Sequence, residues 1–214
     1  MKRAFLLSAA LVATAAPVQA QLFFFPDYAA PSAFGTPSTF IAATYGRGLN
    51  DASGKLDAYG AVVGRTGMGQ RFTILGGAGL VDGPESELTF GGAIGADLLQ
   101  PASTTQVSVQ GGIGYFGVDV GGGETLTTLR FPIGVALKTM VEGPTANVMP
   151  FVMPKVNISR ASLAGTSATE TDFGASGGVS VTLPSGFGVH SAIDVLAAEE
   201  TIWTIGVGAH YLLP

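Results

Sequence analysis

Residues 201–214 read TIWTIGVGAHYLLP, and this stretch decides the fold. Trp203, Val207 and Tyr211 fall on one parity with other apolar residues between them, whereas Gly206 and His210 fall on the other parity with small or polar residues. A period of two places one set on each face of an extended strand. The stretch therefore predicts a β-strand with one apolar face and one polar face.

The same alternation recurs along the chain in segments separated by short turn-forming clusters rich in Gly, Pro, Asp or Ser. Strands of soluble proteins usually have about five or six residues, and these segments are about twice that length, which predicts an antiparallel meander. The longest projecting loop is expected at residues 161–171. The predicted strands cover residues 38–49, 55–67, 69–81, 86–98, 103–118, 123–139, 145–160, 170–183, 186–197 and 200–213.

The composition narrows the class of protein. Charged residues make up 12% of the chain, which is about half the usual share. The chain has no cysteine, which excludes a disulfide scaffold and a thiolate metal site. Its formal net charge of −5 disfavours nucleic-acid binding, because a basic patch is needed to replace the counterions of phosphates.

The first twenty residues have the layout of a secretory signal peptide. Lys2 and Arg3 precede an uncharged apolar core, and small residues end the segment at Ala20. The core is too short for a membrane span of about twenty residues. We therefore predict a signal peptide over residues 1–20, an irregular lead-in over residues 21–37 and one β-domain over residues 38–214.

Two architectures can use such strands. In a secreted soluble β-sandwich the apolar faces meet each other, whereas in a membrane barrel they contact lipid. The polar faces carry mostly Gly, Ser, Thr and Ala, and the strands are long enough to cross a bilayer at a tilt. Trp203 and Tyr211 are eight residues apart, which on a tilted strand is roughly 20 Å along the barrel axis. This is near the spacing of the two aromatic girdles, to which we assign both residues. The sequence thus predicts an all-β, antiparallel up-and-down transmembrane β-barrel of ten strands, with eight as the fallback.

In this pattern the chain resembles the small bacterial outer-membrane β-barrel proteins, in the broad OmpA/OmpX sense, over about residues 38–214. In that family the last strand carries a signal for the outer-membrane insertion machinery. Gly208, Tyr211 and Leu213 have a suitable spacing for it, although the chain ends in Pro214 and not in an aromatic residue. The resemblance implies a location in the bacterial outer membrane, contact with outer-membrane lipid and a monomeric state.

Charged residues within the strands are expected in the lumen, where pairing offsets the cost of burial. Hairpin geometry places Arg47 opposite Asp57, and it predicts a cluster of Arg65, Arg71 and Asp97 near one mouth. These charges either fill and stiffen the barrel or line a narrow pore. The predicted lumen charges are Arg47, Asp57, Arg65, Arg71, Asp97, Arg130 and Lys138.

Catalysis needs a nucleophile, a base and an orienting group within reach of one another. His190, Asp194 and His210 share the inward parity, but the hairpin register separates the two histidines by about three residues, and no such set emerges. We expect no enzyme, no cofactor and no metal site. The predicted function is a structural outer-membrane protein, with a narrow pore for small solutes left open. The alternatives are an outer-membrane lipid-modifying enzyme or protease, and the secreted sandwich used for binding.

Overall fold

The computed structural model describes residues 37–51, 57–69, 71–82, 87–98, 104–119 and 124–213. The predicted signal peptide and nearly all of the predicted lead-in lie outside the described residues, and both stay predictions. No helix within the described ranges is long and apolar enough to cross a membrane.

The described chain is built from β-strands joined by short connections. Strand β7 is a two-residue continuation that follows β6 after a break at Met140. The strands are β1 (Ser38–Gly48), β2 (Asp57–Met68), β3 (Phe72–Asp82), β4 (Glu87–Asp97), β5 (Thr105–Asp119), β6 (Thr125–Thr139), β7 (Val141–Glu142), β8 (Asn147–Leu163), β9 (Thr166–Thr182), β10 (Phe187–Ala197) and β11 (Ile202–Leu213).

The ten long strands form a closed antiparallel barrel. Each pairs with its neighbours in chain order, β6 pairs with β8, and β1 pairs with β11 from Thr39 and Leu213 to Gly48 and Thr204. The prediction of ten strands is confirmed, and the fallback of eight is wrong. The sandwich alternative is also wrong, because all strands of the described residues belong to this one closed sheet and its apolar faces point away from the interior.

The barrel has two distinct rims. Because β1 begins and β11 ends on the same side, we call that side the lower rim, and the opposite side the upper rim. At the upper rim β8 and β9 continue as a hairpin to the pair Leu163 and Thr166. The expectation of a loop over residues 161–171 is therefore wrong. Ala164 and Gly165 both have positive φ, 50° and 78°, which closes a two-residue turn whose twist matches the strands and lets the ladder run on.

The apolar faces point outward and the polar faces inward. In β6, for example, Phe131 and Ile133 are exposed whereas Thr128 and Arg130 are each 2% exposed. Phe173 on β9 is 69% exposed. This arrangement suits hydrocarbon around the barrel, because it would leave a continuous apolar surface in water.

Both halves of the interior bury apolar and polar side chains, but the buried charged residues of the described chain all lie on β6, β8 and β10, and we call the half lined by β6 and β8 to β11 the polar half. The walls of β1 to β5 contribute one packed apolar cluster, formed by Phe40, Ala58, Val62, Leu75, Val81, Ala93 and Phe116. The walls of β6 and β8 to β11 contribute most of the buried polar side chains, among them Arg130, Lys138, Lys155, Asn157, Ser159, Ser176, Ser180, Asp194, Thr204 and His210. The functional chemistry of the interior is therefore concentrated on one side of the barrel.

Candidate functional site

A buried ion pair lies at the middle of the polar half. Lys155 Nζ on β8 is 2.7 Å from Asp194 Oδ1 on β10, and both side chains are 1% exposed. Ser176 on β9, between them, donates its hydroxyl to the same Oδ1 at 2.7 Å. Two opposite charges taken out of water need such close contacts to offset their desolvation. The three residues link three neighbouring strands.

The interior towards the upper rim continues this polar surface. Asn157 Nδ2 donates to Ser159 Oγ at 2.8 Å, and Arg130 pairs with Ser159 in the β6–β8 register. Asp172 faces this part of the interior from β9, where it pairs with Asn157 in the β8–β9 register. Above it on the same strand, burial raises the pKa of Glu170, as do the neighbouring carboxylates of Asp172 and Glu199. The upper mouth is thus acidic, with one buried cation below it.

A second polar group lies near the lower rim, between β4, β5 and β6. Gln106 Nε2 donates to Asp97 Oδ2 at 2.7 Å. Asp97 and Lys138 line one cavity of about 10 Å³, and Lys138 is 4% exposed. A volume of that size holds about one water molecule, so packed side chains fill this part of the interior.

Two histidines contact each other in the lower part of the polar half. His190 Nδ1 and His210 Nδ1 are 3.3 Å apart, and the two rings stack with centroids 5.5 Å apart. The outer nitrogens meet hydroxyls: His190 Nε2 is 3.1 Å from Thr44 Oγ1, and His210 Nε2 is 2.9 Å from Thr182 Oγ1. The result is a hydrogen-bonded chain that joins four strands.

Glycines make room for this histidine pair. His190 lies opposite Gly208, and His210 lies opposite Gly188, so the two histidines are diagonal neighbours. A Cβ on either glycine would collide with the imidazole on the facing strand. The predicted offset of about three residues was one too many, because the turn at residues 198–201 sets an offset of two.

The pairing of Arg47 with Asp57 has the expected register, but the predicted side of the wall is wrong. Arg47 Nε is 3.8 Å from Asp57 Oδ1, and Tyr45 donates its hydroxyl to the same oxygen at 2.6 Å. Both charged residues share the outward parity with Tyr59, which is 53% exposed. They are at the upper ends of their strands, where charged side chains reach water outside the barrel.

The predicted cluster of Arg65, Arg71 and Asp97 is also wrong. Arg65 is exposed on the outward face of β2, and Arg71 is exposed in the turn before β3. A β-bulge between Arg65 and Met68 shifts the register, so that Arg65 faces Ile74. Asp97 does face inward, but its side chain contacts Gln106.

Trp203 and Tyr211, assigned to the aromatic girdles, are on the outward face of β11, 45% and 39% exposed. Trp203 is near the upper rim and Tyr211 near the lower rim. Their depth in a bilayer stays a prediction.

Sequence reasoning placed Asp97, Arg130 and Lys138 inward, as they are, but it missed Lys155, the partner of Asp194. The sequence did contain a signal for Lys155, because it is a lysine within a strand long enough to cross a bilayer. A charge in such a strand avoids the lipid face, which predicts that Lys155 points inward. Among the described residues, no group of three or more His, Asp or Glu is arranged to hold a metal ion.

No protein family and no curated protein matches the sequence. Several solved structures are similar in fold at low identity. The translocator domain of the autotransporter NalP from Neisseria meningitidis has a TM-score of 0.47 at 10% identity, covering 90% of this chain and 93% of that one. The N-terminal β-barrel domain of Pseudomonas aeruginosa OprF has a TM-score of 0.38 at 12% identity, covering 82% and 97%. The outer-membrane protease OmpT from Escherichia coli has a TM-score of 0.39 at 9% identity, covering 83% and 95%.

Proposed function

We propose that the chain is a structural β-barrel of the bacterial outer membrane whose interior is filled by its own side chains. The lower rim, where the first strand begins and the last strand ends, faces the periplasm. The β8–β9 hairpin projects from the opposite surface of the membrane. The outward apolar wall supports the membrane location, because outward charges are restricted to the ends of the strands.

The observation that carries the filled interior is the contact of Lys155 with Asp194. An open aqueous pore would hydrate both groups, yet each is 1% exposed. Cavities lined by Asp97 and Lys138 and by Gln110 and Met153 are about 10 Å³ each. Passage of small solutes would need the side chains around the ion pair and around these two cavities to rearrange.

The structure gives an enzyme little support. A hydroxyl beside an imidazole is the start of a nucleophile–base pair, and Thr182 and His210 form such a contact. However, His210 is 2% exposed, which leaves a substrate no access to its ring.

The proposal includes assembly of the chain as a monomer by the outer-membrane insertion machinery. That machinery would recognise Gly208, Tyr211 and Leu213 on the last strand.

The test is current measurement across planar lipid bilayers that contain the purified full chain. We expect no stepwise conductance above that of the lipid alone. The double variant Lys155→Ser, Asp194→Ser, which shortens both side chains, is expected to raise the conductance and serves as the matched opening control. Steady stepwise currents through the unchanged protein would overturn the filled interior. Failure to float with lipid vesicles would overturn the membrane location.

A further inference from the structure

The outer wall carries an apolar groove of about 740 Å³ across β11, β1, β2 and β3. Its floor is a row of alanines that pair in register on neighbouring strands, Ala209 with Ala43, Ala43 with Ala61, and Ala61 with Ala78. A methyl group at each position keeps the floor close to the backbone.

Larger side chains lie on both sides of the alanine row on the outward face, and those on the lower side line the groove as its lower wall. On the upper side these are Tyr45, Tyr59 and Leu80, which face one another across β1, β2 and β3. On the lower side they are Tyr211, Ile41 and Val63.

The lower wall has a gap on β3 and β4. There the next two positions are Gly76 and Gly92, which pair with each other. A Cβ on Gly76 would meet only the Gly91 carbonyl oxygen, at 3.7 Å. The lower wall is therefore lowest at this glycine gap, and the side chains of Ile74 and Ile94 lie below it on the same outward face.

Two arginines lie on the lower-rim side of this gap. Arg65 follows Val63 on the outward face of β2, and Arg71 is exposed in the turn that joins β2 to β3. In the described part of the chain neither forms a salt bridge, whereas Arg47 at the upper rim is compensated by Asp57 at 3.8 Å. The lower rim thus presents two uncompensated guanidinium groups below an apolar groove.

We propose that the groove and these arginines bind one phospholipid with a net negative headgroup. Arg65 and Arg71 contact the phosphate, and an acyl chain passes over the glycine gap and lies on the alanine floor. Guanidinium groups bind phosphate through two parallel hydrogen bonds. The floor is about four residues above Arg65 along the strand, roughly 10 Å deeper in the bilayer at the usual strand tilt, which is the depth of acyl chains in the lower leaflet.

A second copy of this chain fits the groove less well. A two-fold axis along the membrane normal would place the groove of one copy against the groove of the other, so that no ridge would fill either. The same axis would bring the two Arg65 side chains together without an acidic partner, which is unfavourable for like charges.

The test is native mass spectrometry of the full chain in detergent, titrated with phosphatidylglycerol. We expect one retained lipid per chain. Arg65→Ala with Arg71→Ala should weaken retention about tenfold or more, because both contacts between a guanidinium group and the phosphate are lost. Ala61→Phe, which fills the groove, should weaken it similarly, and Arg65→Lys should weaken it less.

Matched controls separate this site from general lipid contact. Arg47→Ala alters an arginine at the other rim, and Ala175→Phe adds a ring to the exposed outward face of β9; neither should change retention. Phosphatidylcholine with the same acyl chains should bind more weakly than phosphatidylglycerol, and inorganic phosphate alone should not compete.

The inference rests on the proposed membrane location, so each variant is first checked for insertion into vesicles. Failure of the unchanged protein to insert would reject the proposed function rather than the lipid site. With insertion intact, equal retention by all variants would overturn the site. A dimer that Ala61→Phe dissociates would overturn it in favour of a second copy.

Discussion

Lys155 Nζ lies 2.7 Å from Asp194 Oδ1 and joins β8 to β10 across β9 inside the barrel. Removing one partner leaves an uncompensated buried charge, which typically costs about 3–5 kcal/mol. We expect Lys155→Met alone to lower the free energy of unfolding by that amount. The double variant Lys155→Met, Asp194→Leu should recover most of the loss, because it buries apolar groups instead.

The measurement is urea unfolding in lipid vesicles, with the folded fraction read from heat-modifiable migration on gels. Equal losses in the single and the double variant would show that the two side chains do not depend on each other.

The histidine pair depends on the space that glycine leaves. A Cβ on Gly208 would collide with the Ala43 carbonyl oxygen on β1 and with the His190 ring, whereas on Gly177 it would make only an ordinary contact, 3.7 Å from the Phe151 carbonyl oxygen. We expect Gly208→Ala to destabilise the barrel by about 1–3 kcal/mol. Gly177→Ala, the matched control on the outward face of β9, should leave stability unchanged or slightly higher. The same urea unfolding experiment distinguishes them, and similar stabilities would contradict the packing described for His190.

The projecting hairpin should become more stable as the pH falls. Burial first, and then Asp172 and Glu199, raise the pKa of Glu170 above its ordinary value. A carboxyl with a raised pKa in the folded state takes up its proton more readily there than in the unfolded state, so stability is gained as the pH drops towards that pKa.

Amide hydrogen exchange in residues 162–170, corrected for the intrinsic dependence on pH, measures this effect. We expect protection to increase between neutral and mildly acidic pH, and Glu170→Gln to remove much of the increase. Protection that falls over the same interval in the unchanged protein would contradict the expectation.

Trp203 gives a direct measure of depth, because it is the single tryptophan of the chain. Its outward position near the upper rim predicts a shallow location at the level of the headgroups. Its fluorescence should be quenched most by lipids brominated near the headgroup. In the variant Trp203→Phe, Val207→Trp, the indole moves four residues along the same outward face, towards the middle of the bilayer. Quenching should then be strongest with lipids brominated deeper along the acyl chain. Identical depth profiles would contradict the girdle assignment.

Much of the architecture could be predicted from alternation alone. In β11 the polar and apolar sets are cleanly separated, so the face of Trp203 and the face of His210 followed from the sequence. In β8 both parities are largely apolar, with Met149 and Met153 inward and Val152 outward, so hydrophobicity does not reveal which way Lys155 points.

Register was harder to predict than the strands themselves. The turn between β2 and β3 is centred at residue 70 and not at the predicted residue 68, so Arg71 falls in the turn and Arg65 faces Ile74 on the outward side. The alanine groove depends on pairing across four strands, from Ala209 to Ala78, and single-strand patterns do not contain that information.

The ladder between β1 and β11 has a consequence for biogenesis. It joins Thr39 to Leu213, nearly the whole length of the barrel sequence apart, whereas each other ladder of the ring joins two long strands that are consecutive along the chain. Contacts so distant in sequence form late, because the intervening segment must first be ordered. Until that ladder forms, a sheet made from the other strands has two unpaired edges, and unpaired edges are templates for pairing with another chain.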